Sequence, residues 1–184
     1  FKTILMQNKA SGGGSTLSQQ LAKNLYPRTR NGNFYLAVDK IKEMIIASRL
    51  EKIYNKEEIL EQYLNTVSFG DNTFGIESAS IKFYGKGADK LHIQEAAVLV
   101  GMLKATYTYN PRVFPQRSLQ RRNLVLNSLA ENGFLKKAEK DSLSALPLAL
   151  NYTEYDHNSG LAPYFREEVR KRVVSWCKKQ NDLG

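Results

Sequence analysis

Apolar residues in this chain recur at steps of three and four, stretch after stretch, while alternating stretches are short. That is the period of a helix with one buried side, so the chain is expected to fold as helix packed on helix, with almost no strand. The pattern predicts helices near 16–26, 36–54, 56–65, 75–84, 92–104, 115–131, 136–146 and 161–180. Local punctuation supports these limits. Asn55 and Glu58 have the spacing of a capping box opening the third helix. Gly133 stands where a left-handed residue would close the sixth, and Pro147 halts the seventh. The loops 27–33 and 69–75 are rich in turn-forming residues, and Tyr152 to Gly160 reads as a linker. The fold class is therefore all-α, with a domain over 1–150 and a junction helix within 151–184.

Several classes fall away on simple grounds. The longest apolar run, Ala96 to Leu103, is far shorter than the roughly 20 residues a spanning helix needs. A single cysteine, Cys177, excludes an internal disulfide framework and reads as a buried or inert thiol. His92 and His157 have no ligand-spaced partner, so a zinc site is not expected. The formal charge of +9 suits a polyanionic partner or an anionic membrane surface, and also plain solubility. The chain opens on Phe1-Lys2-Thr3 without a leader pattern and reads as a piece of something longer.

Two segments carry the chemistry. Gly12-Gly13-Gly14-Ser15-Thr16 runs straight into a helix bearing Gln19, Gln20, Lys23 and Asn24. Glycines let a ligand approach the backbone, and a helix N-terminus with unpaired N–H groups favours anions, phosphates above all. Leu17, Leu21 and Leu25 make the apolar stripe, with Ser15, Gln19 and Lys23 roughly opposite. Read alone, Thr16 and Gln19 are equally a capping box, and Lys23 a solvated charge. The second segment is Asp39-Lys40-Ile41-Lys42-Glu43. Glu43 lies in line with Ile46, Ala47 and Leu50, so its carboxylate must be paired or desolvated. Lys40, three residues back, is a ready partner; the pair is either a structural ion pair or a carboxylate beside phosphate-binding lysines. Ile59, Leu60, Tyr63 and Leu64 are expected to pack inward, and Arg117 with Arg121 to form a solvated basic face.

In this order the segments resemble glycosyltransferase family 51, the peptidoglycan glycosyltransferase domain of bifunctional class A penicillin-binding proteins. Gly13 to Gln20 follows that family's GxSTxxQQ pattern, extended by Lys23-Asn24, and Lys40 to Glu43 follows RKxxE. Glu58 to Asn65, continued through Phe69-Gly70 and Gly75 to Ser80, follows a fourth motif, and Arg121 to Leu126 a fifth. The likeness covers Phe1 to about Leu146, and Asp156 to Phe165 resembles the junction toward a transpeptidase domain. Two positions depart: Asp39 stands where the family usually has Arg, and Ser68 where relatives often carry Tyr. The first motif, EDxxFxxHxG, with the glutamate that serves as general base, does not occur in these 184 residues, and the resemblance places it upstream of Phe1.

The resemblance implies a lysozyme-like, mostly helical domain that polymerises lipid II with inversion, releasing undecaprenyl pyrophosphate. It implies Glu43 as the second carboxylate, orienting the cations or binding a divalent cation (Mg or Mn) through the pyrophosphate. It implies substrate contacts from Ser15, Thr16, Gln19, Gln20, Lys23, Asn24, Arg28, Arg30, Lys40 and Lys42. Lipid II, the nascent glycan strand, the outer face of the cytoplasmic membrane and the divisome or elongation machinery would be its partners, with no nucleic acid among them. The missing first motif keeps open a fragment that binds lipid II or a partner protein without transferring sugar.

Overall fold

A computed structural model describes residues 15–28, 33–152 and 163–181. Among these residues the chain forms eight α-helices: α1 (Leu17–Leu25), α2 (Asn33–Ile53), α3 (Lys56–Thr66), α4 (Ile76–Tyr84), α5 (Ile93–Met102), α6 (Pro115–Glu131), α7 (Lys137–Ala145) and α8 (Pro163–Asn181). A single 3-10 turn, Ala88–Lys90, leads into α5. The all-α expectation holds, and most helix limits fall within one or two residues of those read from periodicity. The start of α2 differs most, at Asn33 instead of residue 36.

The capping signals act as their chemistry requires. The Asn55 side chain accepts the Glu58 N–H at 2.9 Å, and the Glu58 carboxylate takes the Asn55 N–H at 2.8 Å, a complete box at the head of α3. Asn55→Ala is expected to lower stability by about 1 kcal/mol, read as a fall in the thermal midpoint, with Asn55→Gly milder. Gly133 follows α6 at φ +80°, the left-handed residue expected there.

Three apolar clusters join these helices. Phe69, Phe83, Tyr84, Val98, Leu99 and Met102 form the largest, covered by Leu148, Leu150 and Tyr152 as the chain returns after α7. Leu21, Ile59 and Tyr63 seat α1 on α3, and Val67 and Leu103 touch both of these clusters. Ala97 of α5 meets Leu126 of α6 and Leu135 in the third. Gly101 permits the close approach of α5 and α6, because a Cβ there would lie 3.0 Å from the Arg121 side chain.

Two apolar expectations fail. Leu60 is exposed beside buried Ile59, since one step along a helix turns a side chain about 100° around it. Leu25 is exposed at the last turn of α1. Of the two readings of Cys177, buried or inert, the buried one is excluded, since the thiol is exposed like the other described side chains of α8.

Candidate active site

Glu43 is the centre of the site. It sits on α2 with only 5% of its surface exposed, and a buried carboxylate must be paired to remain charged. Its partners both precede it in the chain, one distant and one local. Arg28 places Nε 3.0 Å and Nη2 2.8 Å from Oε1 of Glu43, while Lys40 brings Nζ to 3.2 Å from Oε2. The same Lys40 ammonium donates to Ser15 Oγ at 2.6 Å, tying the residue just ahead of α1 to α2. The Arg28 and Lys40 side chains each keep about 30% of their surface exposed, so neither is sealed from solvent. The expected Lys40–Glu43 pair is present. The Arg28 pairing, across 15 residues, has no local periodicity that could announce it.

Two cavities flank this cluster and share Pro27 and Arg28. One, of about 300 Å³, is lined by Tyr26, Arg28, Asp39, Lys42 and Glu43 with apolar Ala22, Ile45 and Ile46. The other, of about 260 Å³, is lined by Lys23, Asn24, Arg28, Thr66, Ser68 and Phe74. Among the described residues, Arg28 thus stands between a compartment with two carboxylates and Lys42 and one whose other charge is Lys23. Asp39, the departure from the family pattern, points one oxygen at Lys42 Nζ, 3.8 Å away, and buries the other without a hydrogen-bond partner. Lys42 itself is two-thirds exposed.

The remaining candidates fall in different places. Thr16 is the N-cap of α1, its hydroxyl accepting the Gln19 N–H at 3.3 Å. Gln20 is exposed, and its amide oxygen accepts from the Tyr63 hydroxyl at 3.3 Å, which links α1 to α3. Burial raises the Tyr63 phenol above its ordinary range, so it stays a donor. Arg30 and Gly12 to Gly14 lie outside the described residues, as does His157.

One charged residue escapes any reading of sequence pattern. Arg122 has 1% of its surface exposed, whereas its neighbour Arg121 keeps more and lies over the Tyr109 ring at 5.7 Å. Arg122 spends its guanidinium on oxygens: Asn123 Oδ1 at 3.0 Å, Ser144 O at 2.9 Å and Pro147 O at 3.4 Å. Desolvation lowers its pKa, opposed by nearby Tyr84. The Tyr84 phenol is pushed upward, first by burial and then by Glu95. This group ties the end of α7 to α6 and lies apart from the Glu43 cluster. The expected Arg117–Arg121 solvated face is also modified, since Arg117 stacks on Phe114 at 4.8 Å.

Among the described residues, fold and site together define a helical domain with two cations paired around one buried carboxylate. The Transglycosylase family model matches residues 1–130. The chain belongs to that family and is a glycosyltransferase domain. It is 37% identical over 163 residues to penicillin-binding protein 1A of Aquifex aeolicus, which covers 89% of this chain and 22% of that protein. It is 41% identical over 135 residues to penicillin-binding protein 2a of Streptococcus pneumoniae, covering 71% and 17%. The crystal structure of penicillin-binding protein 1A from Haemophilus influenzae superposes with a TM-score of 0.53 at 27% identity, over 85% of this chain and 20% of that one. The chain thus spans about a fifth of the length of the relatives it matches.

Proposed function

We propose that this domain polymerises lipid II into glycan strands, the 4-hydroxyl of one sugar displacing undecaprenyl pyrophosphate from the anomeric carbon of another with inversion. The observation that carries this reading is the held-open pair Arg28 and Lys40 on the two oxygens of Glu43. In such a transfer, charge grows on the departing diphosphate. Cations fixed before reaction stabilise that charge with little reorganisation. Glu43 orients both without quenching them, because each keeps an exposed side. Lys23 and Asn24 extend the cationic surface into the second cavity, and Lys42 into the first. In this reading, removing the proton from the attacking hydroxyl falls to the glutamate of the family's first motif, which these 184 residues do not contain.

No group of three or more His, Cys, Asp or Glu that could hold an ion occurs among the described residues, and both Glu43 oxygens are occupied. A divalent cation enters this reading only as a passenger on the diphosphate, held largely by its oxygens.

The membrane's outer face, the growing glycan and the divisome or elongation machinery are the partners of this reading. In this reading 151–184 is a linker with a junction helix, α8, toward a transpeptidase domain. The test is polymerisation of labelled lipid II by the chain extended upstream through the first motif. Polymer is expected, and Lys23→Ala is expected to lower turnover about tenfold or more while the helical circular dichroism is unchanged. No polymer under conditions where a relative makes it, with lipid II still bound, would favour the binding-only alternative.

A further inference from the structure

The loop between α3 and α4 does more than connect them. It is closed by an antiparallel bridge between Ser68 and Phe74, with Phe69 N–H donating to Thr73 O and Gly75 N–H to Val67 O. Four of its residues have positive φ: Gly70, Asp71, Asn72 and Gly75. A side chain at Gly75 would place its Cβ 2.8 Å from Asn65 O. Asp71 and Asn72 are also left-handed, the region that Asp and Asn enter most readily of the non-glycine residues. Lys82 Nζ donates to Asp71 O at 2.8 Å and to Thr73 Oγ1 at 2.9 Å, and Asn110 Nδ2 donates to Asp71 Oδ2 at 3.2 Å.

The loop so held presents the Phe74 ring, 60% exposed, as a wall of the cavity that contains Lys23, Asn24, Arg28, Thr66 and Ser68. A single exposed aromatic side chain needs no explanation by itself. Here the loop carrying the ring is held from behind, and the ring lines a cavity shared with hydrogen-bonding groups. A saccharide ring matches that combination: it offers a face of C–H bonds to an aromatic surface and a rim of hydroxyl and amide groups to polar neighbours. Ser68, paired with Phe74 across the bridge, has too small a side chain to fill the space beside the ring, and its hydroxyl accepts the Gly70 N–H at 3.2 Å.

We infer that Phe74 is a sugar-stacking residue, the platform on which an amino-sugar ring of the substrate lies beside Lys23 and Arg28. This rests on the glycosyltransferase reading of the site and adds the place where a sugar sits. A stacking contact away from the reacting bond serves ground state and transition state alike.

Two measurements test it separately from the proposed reaction. The first is saturation-transfer NMR of the 184-residue chain with a lipid-free, β-1,4-linked amino-sugar oligosaccharide, and in parallel with farnesyl diphosphate. Phe74→Ala is expected to weaken saccharide binding about two- to tenfold and leave farnesyl diphosphate unchanged, with Phe74→Tyr restoring it. Equal saccharide binding by wild type and Phe74→Ala overturns the inference, as does a loss confined to farnesyl diphosphate, which would make the ring a prenyl contact. The second is steady-state polymerisation by the upstream-extended chain, where Phe74→Ala is expected to raise KM by the same factor with kcat unchanged. Absence of polymer from the wild type would count against the proposed reaction alone, since the binding arm still decides the role of Phe74.

Discussion

Glu43→Gln is expected to reduce the polymerisation turnover of the upstream-extended chain by about a hundredfold or more, the range seen when one preorganised charge-stabilising group is removed. The amide keeps the volume of the carboxylate but not its charge. Its NH2 end would then face a cation, Arg28 or Lys40, that now points a donor at a donor. Both cations are partly exposed, so they can swing into water, and the loss of fold stability should be small. What is lost is their fixed aim at the leaving group. Initial rates with labelled lipid II, beside thermal unfolding followed by circular dichroism, separate the two effects. A normal rate would reduce the cluster to a structural ion pair.

The second large effect is on stability. Arg122→Ala should lower it by about 3–5 kcal/mol, through a core cavity and the loss of donors to Asn123 Oδ1, Ser144 O and Pro147 O. Arg122→Lys should recover little, since one ammonium cannot span oxygens placed around a planar guanidinium. Urea unfolding at constant m-value measures this directly. Arg121→Ala, on the neighbouring and less buried residue, is the control and should be much milder. A loss under 1 kcal/mol for Arg122→Ala would show that α7 is held by its apolar contacts through Leu143 and Leu129 instead.

The Arg121-Arg122 pair shows why some residues cannot be read from pattern. Both are arginines on one helix, adjacent in sequence, and nothing local distinguishes them. The difference arises because α6 turns Arg122 toward the carbonyls at the end of α7, more than twenty residues away. Glu43 is an intermediate case. Its place in line with Ile46, Ala47 and Leu50 announced burial, and Lys40 one turn back announced a partner. Arg28 was visible only as one of several candidate cations, because the bond spans a loop whose path no spacing encodes. Phe74 lay in a segment legible as a turn, yet its outward ring depends on Lys82 and Asn110 reaching in from α4 and from beyond α5.

Hydrophobic period, caps and breakers are local properties, so the order and extent of the helices, the capping box at Asn55 and the buried register of Glu43 were all present in the amino-acid string. Which cations meet that carboxylate, how two cavities come to share Arg28, and which arginine is interred were decided by packing. Those outcomes depend on distances between elements far apart along the chain, and such distances exist only once the helices have found one another.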